Sequence, residues 1–272
     1  MTDFERYDRM VIDFHTHMFP DKLAKKTIPM LSEISGFKNQ TDGTLSGTLA
    51  SMNENGVDMS VVCNIATNPH QTENVNNFAI EINKNPRIIS FGSVHPECED
   101  YIYHLDKLKD NGIKGIKLHP DYQSFFIDEP RMQPLYEAIL KCDFVLIFHS
   151  GVDDGIGEPV HSTPERVKNI MSLLRGEKVV LAHMGSFKMW DEVCESILTE
   201  NVYFDVSCAV QFLENEKFSY MIKTHGTEKI LFASDLPWTL PSEGIEVIKN
   251  LDISEEDKEK IFSENAKKLL NL

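Results

Sequence analysis

Eight short apolar runs recur along the chain, with amphipathic helical patterns between them. The runs cover residues 10–14, 57–65, 87–94, 112–118, 144–148, 179–182, 202–206 and 230–233. Most are nearly continuous hydrophobic stretches, which is typical of parallel strands buried on both faces. Strand and helix alternating eight times predicts an α/β fold, a single (β/α)8 TIM barrel. The alternative is an open doubly wound sheet, but that fold needs a glycine-rich turn after the first strand, where this chain has His-Thr-His.

Helix signals and connection lengths complete this prediction. Ser254 and Asp257 have capping-box spacing, and an apolar stripe follows them, formed by Ile261, Phe262, Ala266, Leu269 and Leu270. Two connections exceed what a minimal barrel needs: an insertion after strand 1, residues 19–47, which could form a lid helix, and a long loop after strand 5, residues 150–164. No linker-like tract divides the chain, so we expect one domain over residues 1–272.

Composition narrows the classes of partner. The 272 residues carry a formal net charge of −16, and so acidic a surface disfavours nucleic acid and anionic membranes as partners. No stretch approaches the roughly 18 apolar residues of a membrane span, and the first ten residues contain no apolar signal core. The five cysteines are scattered and form no CxxC pair. These features predict a cytoplasmic protein with reduced thiols that acts on a small molecule.

Polar residues follow most of the predicted strands. Active sites of barrel enzymes lie at the carboxyl ends of the strands, so the residue that ends each run is informative. Side chains alternate between the two faces of a strand, and one register per strand points these residues into the barrel mouth. On this basis Asp13, His15 and His17 share one face, as do Val179, Leu181 and His183. The strand-end residues are His15, His17, His95, His119, His149, His183 and Asp235.

Two histidines one residue apart after a buried strand favour a metal site. His15, His17, His149 and Asp235 together offer three imidazole nitrogens and one carboxylate oxygen, with a position left open for water. Imidazole suits Zn²⁺, so one zinc ion is the leading prediction, while two ions, or Mn²⁺ or Fe²⁺, stay open. Such a metal lowers the pKa of its water toward neutrality.

The remaining polar residues are assigned around this site. His183 is the predicted general acid and base, and Asp235 both binds the metal and orients the water. Substrate-binding candidates are Lys117, His119, His161, Trp190 and Trp238, with Lys117 alternatively carboxylated as a bridge to a second metal. A lone histidine at a strand end is most often structural, so His95 is left out of the catalytic set. Tryptophans usually pack in cores, which is the alternative interpretation of Trp190 and Trp238.

Several motifs resemble the amidohydrolase superfamily, in the branch called amidohydrolase family 2. They are DFHTH at 13–17, GIKLHP at 115–120, FHSG at 148–151, LAHMG at 181–185, YFDVS at 203–207, FASDLPW at 232–238 and SENAKKLL at 263–270. The resemblance implies metal ligation by His15, His17, His149 and Asp235 and a catalytic role for His183, in a barrel that often forms a homodimer. The fourth strand departs from binuclear members, which favours one metal.

The resemblance leaves the reaction open, because hydrolases, decarboxylases and hydratases of this branch share one barrel and metal site. The leading hypothesis is a zinc hydrolase in which metal-bound hydroxide attacks an amide, lactone or ester carbonyl. The alternative is a metal-dependent nonoxidative decarboxylase, or a hydratase, of a small unsaturated or aromatic carboxylic acid; Lys117, His119 or Arg166 near the mouth would favour it. A metal-binding scaffold without activity is the third hypothesis.

Overall fold

The strands of the predicted barrel are all present. The computed structural model describes residues 7–174 and 178–272, and within these ranges eight short parallel strands overlap the eight predicted runs. They are β1 Ile12–Thr16, β2 Met59–Cys63, β3 Ile88–Phe91, β4 Gly115–Leu118, β5 Val145–Phe148, β6 Val179–Leu181, β7 Tyr203–Asp205 and β8 Ile230–Leu231.

These strands close into a barrel. Parallel ladders join β1, β2 and β3 in one sheet and β4 to β8 in another. Backbone hydrogen bonds connect the two sheets at both seams: the N–H of Gly92 donates to Gly115 O at 2.9 Å, and the N–H of Phe14 donates to Phe232 O at 2.8 Å. The (β/α)8 prediction is therefore confirmed, and the carboxyl ends of all eight strands meet at one rim.

Helices surround the strands. In the part of the chain that the structure describes they are α1 Asp21–Ser35, α2 Leu45–Asn55, α3 Thr72–Ile82, α4 Tyr101–Asp110, α5 Gln133–Lys141, α6 Pro164–Leu174, α7 Trp190–Ser196, α8 Ala209–Phe212, α9 Asn215–His225, α10 Pro241–Lys249, α11 Glu255–Glu259 and α12 Asn265–Leu270. A π-helical turn, Lys260–Glu264, joins α11 to α12. Across the described ranges, no helix is both long and apolar enough to cross a bilayer.

The C-terminal helices follow the sequence signals closely. Ser254 is the N-cap of α11, and its hydroxyl accepts a hydrogen bond from the N–H of Asp257 at 3.1 Å. The predicted apolar stripe is buried along its whole length. Ala266, Leu269 and Leu270 pack with the side chains inside the barrel, so α12 closes the end of the barrel opposite the rim.

The insertion after β1, residues 19–47, contains α1 and the first three residues of α2. Helix α1 turns Ala24 and Ile28 inward and leaves Leu23, Met30 and Ile34 about half exposed. An αL glycine, Gly36, ends it, with φ of 76° and no steric neighbour for a side chain. The segment is thus helical at the rim, and its movement as a lid stays a prediction.

Candidate active site

A large cavity opens at the carboxyl ends of the strands. Its volume is about 590 Å³. Seven of the residues that sequence reasoning assigned to the site line it, at its deep polar end: His15, His17, Lys117, His119, His149, His183 and Asp235. Trp238 lines it as predicted, and side chains of α1 and α3 form much of the remaining wall. The barrel therefore brings together residues that lie up to 220 positions apart in the sequence.

Three of the predicted metal ligands form a tight group. One ligand atom from each of His15, His17 and Asp235 lies within 4.8 Å of the others. The Nε2 atoms of His15 and His17 are 3.6 Å and 3.2 Å from Asp235 Oδ1. That carboxylate oxygen is buried and has no hydrogen-bond partner, which is unusual unless something further binds it. A His2Asp set with an unpartnered oxygen fits a divalent cation.

Neighbouring acceptors orient both histidines of β1. Nδ1 of His15 lies 2.9 Å from Asp205 Oδ2, and Nδ1 of His17 lies 2.8 Å from the carbonyl oxygen of Cys63. Because both partners are acceptors, each Nδ1 carries the hydrogen and each Nε2 presents its lone pair to the cluster. Sequence reasoning missed Asp205 as a site residue, although it ends β7 as the other ligands end their strands.

His149 lies beside this group rather than within it. It stacks on His119 with ring centroids 4.0 Å apart and 7° between the planes, and it groups with His119 and Asp153. Its Nδ1 is 3.1 Å from His183 Nε2, while its Nε2 is buried without a partner. The orphaned nitrogen indicates a binding role, and His149 as fourth ligand stays a prediction.

The stacked pair is poorly arranged to share an ion of its own. A metal binds an imidazole nitrogen in the plane of the ring, and two nearly parallel rings 4.0 Å apart offer no common in-plane position. His119 instead has Asp153 Oδ2 3.4 Å from its Nε2. Its main structural effect is to hold the ring of His149.

His183 reaches the site by a route that strand parity does not predict. Val180, rather than Val179 and Leu181, belongs to the cluster inside the barrel, so the predicted common face of Val179, Leu181 and His183 is wrong. The chain leaves β6 in a turn where His183 has φ of 60°. This left-handed residue turns the imidazole into the cavity.

Strand β1 also departs from simple alternation. Ile12 and Phe14 pack inside the barrel, whereas both oxygens of Asp13 accept hydrogen bonds from Ser234. Asp13 and His15 therefore do not share one face, contrary to the prediction. The β1–β2 pairing shifts register between Asp13 and Thr16. An irregularity of this kind re-aims the following side chains, which is how His15 comes to face the cluster.

His183 is held by several hydrogen bonds. Its Nδ1 is 2.9 Å from Ser207 Oγ, and its backbone N–H donates to Asp205 at 3.0 Å. The indole N–H of Trp190 donates to its carbonyl oxygen at 2.9 Å. These contacts fix the imidazole in the cavity wall, with its Nε2 3.1 Å from Nδ1 of His149.

Left-handed backbone is concentrated at this rim. His183, Met184, Cys208 and Asp235 have φ of 60°, 54°, 56° and 71°, and none is a glycine. Such conformations cost free energy and persist where the surrounding structure enforces them, commonly at functional sites. Their positions coincide with the predicted general acid and the predicted carboxylate ligand.

The electrostatics of the deep end suit metal ligation. Burial, with a contribution from Lys117, lowers the pKa of His15 to about 4, and burial likewise holds the pKa of His149 well below its ordinary value. Burial alone would raise the pKa of Asp235, but its close neighbours His17, His15 and His183 lower it well below normal. Neutral imidazoles beside an ionised carboxylate are the protonation states that a metal requires.

Lys117 lies at the bottom of the cavity. Its side chain is 1% exposed, and its Nζ is 3.2 Å from His15 Nε2. Burial lowers the pKa of this ammonium group, while nearby acidic groups oppose the shift. The predicted substrate-binding role therefore places the substrate's charged group next to the metal cluster.

Three residues lie away from the cavity lining. Trp190 is buried against Phe187 behind the site, and its predicted place in the substrate wall finds no support in this position. His161 pairs with Asp121 at 2.8 Å and stacks on Phe126, and its predicted contact with substrate finds no support in this position. Arg166 forms an ion pair with Asp128 at 2.6 Å and likewise does not line the cavity.

The comparison with protein families agrees with this architecture. A family model described as Amidohydrolase matches residues 12–272, so the chain belongs to this amidohydrolase family. The matched range includes every strand and every member of the candidate metal cluster. No curated protein matches the chain in sequence.

Solved structures with the same fold extend the comparison. A 5-carboxyvanillate decarboxylase from Novosphingobium aromaticivorans, complexed with manganese and 4-hydroxy-3-methoxy-5-nitrobenzoic acid, has TM-score 0.73 and 16% identity, with 100% of both chains covered. A 2,6-dihydroxybenzoate decarboxylase from Rhizobium has TM-score 0.66 and 16% identity, with 97% of this chain and 99% of that chain covered. An uncharacterised TIM-barrel protein from Bordetella bronchiseptica has TM-score 0.78 and 18% identity, covering 97% and 99%. At these identities the likeness establishes the barrel fold.

Proposed function

We propose that this protein is a metal-dependent nonoxidative decarboxylase of a small aromatic or unsaturated carboxylic acid. This was the alternative in the sequence analysis, and it now takes precedence over the hydrolase. One observation carries it: the metal cluster, the buried Lys117 and His183 converge at the closed end of a mostly apolar cavity. The structural neighbours named as decarboxylases support the same choice.

The residues divide into two tasks. His15, His17 and Asp235 would hold a divalent cation, with His149 as the fourth ligand, and Lys117 would bind a carboxylate oxygen beside them. The bound cation would supply positive charge that orients the substrate carboxylate. Zinc is the predicted ion; manganese, which is present in one neighbour, is the second choice.

His183 supplies the proton. His183 lines the cavity, and in the protonated state its Nε2 would leave its 3.1 Å contact with His149 Nδ1 and donate to the substrate carbon that carries the carboxylate. The bond between that carbon and the carboxylate then breaks, carbon dioxide leaves, and the bonding electrons stay with the product. The product gains the one proton that His183 loses, and solvent returns it. The apolar wall limits access of water to the reacting carbon.

The test is the release of carbon dioxide by metal-loaded protein. A panel of carboxyl-labelled hydroxybenzoic and unsaturated acids is incubated with the protein, and labelled carbon dioxide is measured together with the decarboxylated product. We expect equal amounts of both. A His183→Gln variant should release carbon dioxide at least about 10²-fold more slowly while keeping its metal. A His70→Gln variant, altered at an exposed histidine of the same chain, should match the wild type.

A hydrolase is the second candidate, favoured by one specific observation. The unpartnered Oδ1 of Asp235 is placed to accept a proton from an attacking water, and His183 could return a proton to a leaving group. Turnover of lactones, esters or amides with incorporation of labelled solvent oxygen, and no carbon dioxide from any acid, would decide for this reaction and against the decarboxylase.

A further inference from the structure

The charges around the cavity are strongly unequal. Among the described residues that line it, Lys117 is the one lysine or arginine, whereas Asp153, Asp154 and Asp235 all contribute carboxylates. Lys117 lies at the closed end, 3.2 Å from His15. A ligand therefore finds its cationic partners at one end only, which is enough for a single carboxylate.

Two basic residues on the side of the rim near Asp153 and Asp154 are already engaged in ion pairs. Lys188 binds Asp154 at 2.7 Å, and Arg166 binds Asp128 at 2.6 Å. A second carboxylate on the ligand, directed toward this side of the rim, would lie near Asp153 and the Asp154–Lys188 ion pair. An unpaired negative charge taken out of water next to other carboxylates is strongly disfavoured.

The outer part of the cavity is apolar. Helix α1 contributes Leu23, Met30 and Leu31, and Val75 and Phe78 of α3 also line it. Leu23 and Met30 are 49% and 50% exposed. Apolar side chains that stay half exposed around a cavity offer a surface that a ligand can cover. A volume of about 590 Å³ lies well inside the range of roughly 300–1,000 Å³ for sites that bind drug-sized molecules.

We propose that the substrate is a monocarboxylic acid with an extended apolar body, larger than one ring. The carboxylate binds at the Lys117 and metal end, and the apolar body lies against α1 and α3. This inference rests on the proposed decarboxylase for the orientation of the carboxylate. Beyond the reaction type, the inference specifies the size and charge of the part of the substrate that lies outside its carboxylate.

Ligand binding tests the size and charge of the substrate directly. The probes are 4-alkyl-2-hydroxybenzoates, from methyl to hexyl, titrated calorimetrically into manganese-loaded protein. If the alkyl group is buried against α1 and α3, each added methylene should tighten Kd about threefold to fourfold. A matched probe whose alkyl chain ends in a second carboxylate should bind at least tenfold more weakly than the monoacid of the same length.

Variants locate the apolar body. Leu23→Ser and Met30→Ser change half-exposed side chains of the wall, so the fold should tolerate both, and each should flatten the dependence of Kd on chain length. Ile102→Ser is the matched control, because Ile102 is 51% exposed on α4 and does not line the cavity. Its chain-length dependence should equal that of the wild type.

The outcomes separate this inference from the proposed function. Affinity that does not increase with chain length, or a dicarboxylate that binds as tightly as its monoacid, overturns the inference even if short acids release carbon dioxide. Steep chain-length dependence that Leu23→Ser and Met30→Ser reduce supports the inferred shape and charge of the ligand. If no acid in that series or in the labelled panel releases carbon dioxide, the decarboxylase is wrong while the deduced ligand shape stands.

Discussion

Asp205 Oδ2 accepts a hydrogen bond from His15 Nδ1 at 2.9 Å, and both side chains are buried beneath the candidate metal cluster. The same carboxylate accepts from the backbone N–H of His183 and from the hydroxyl of Ser207. One aspartate at the end of β7 thus supports both a metal ligand and the predicted proton donor. A charged group with three partners that are themselves buried is a strong structural constraint.

Replacement of Asp205 by Asn should weaken metal binding. The amide keeps the size of the side chain but removes the charge that holds the His15 tautomer, and losses of this kind are about 10-fold to 100-fold in affinity. Titration of metal-free protein with zinc or manganese measures the change. Asp128→Asn, at a carboxylate outside the cavity, is the control, and equal affinities of the two variants would rule out the support proposed for Asp205.

The metal content of purified variants should show whether His15, His17 and Asp235 bind a divalent ion. Purified wild-type protein should contain about one divalent ion per chain, and His15→Ala and Asp235→Ala should contain little, because each removes a member of a three-residue set. Plasma mass spectrometry gives the stoichiometry and the element. Two ions per chain would contradict the single site.

His183→Gln should lower kcat by about 10²-fold to 10⁴-fold with little change in metal content. The reason is that glutamine can keep a polar contact but cannot transfer a proton. The variant is measured for steady-state turnover of any accepted substrate and for bound metal. Turnover within a few-fold of the wild type would remove His183 from the proton-transfer role.

Trp190→Phe should affect stability rather than ligand binding. The substitution removes the indole N–H that donates to the carbonyl oxygen of His183, and a lost buried hydrogen bond of this kind costs roughly 1 kcal/mol. Urea unfolding reports the free energy of unfolding, and calorimetry reports the Kd of an aromatic acid. Trp238→Phe is the counterpart, because Trp238 lines the cavity. This substitution should weaken binding of the aromatic acid while leaving the free energy of unfolding nearly unchanged.

Asp257 should make stability dependent on pH in the acid range. Hydrogen bonds from Thr227, Ser254 and Lys260 lower its pKa to about 2. The folded pKa lies below the unfolded value of 3.8, so the stabilisation is present above about pH 4 and is lost as the pH falls toward 2. Asp257→Asn should cost about 1 kcal/mol at pH 7, allowing for solvent screening, and less at pH 3. A difference that grows on acidification would contradict this assignment.

Much of the architecture and of the site is determined by the sequence alone. Period-two alternation and buried apolar runs depend only on neighbouring residues, so the eight strands and the polar residues that end them were predictable. On β4, β5 and β8 the alternation also places the side chains correctly: Lys117, His149 and Asp235 all face the cavity. The capping of α11 by Ser254 was predictable for the same local reason.

Tertiary structure decided features of the site that the alternation of side chains along a strand cannot determine. The register shift in β1 and the left-handed turn at His183 depend on pairing and packing with distant segments, so they change the face of a side chain without a local signal. The paths of the loops separate Trp238, which lines the cavity, from Trp190, which packs behind it. Closure of the barrel brings Asp205 to His15 across 190 residues, and only such closure determines which strand ends meet.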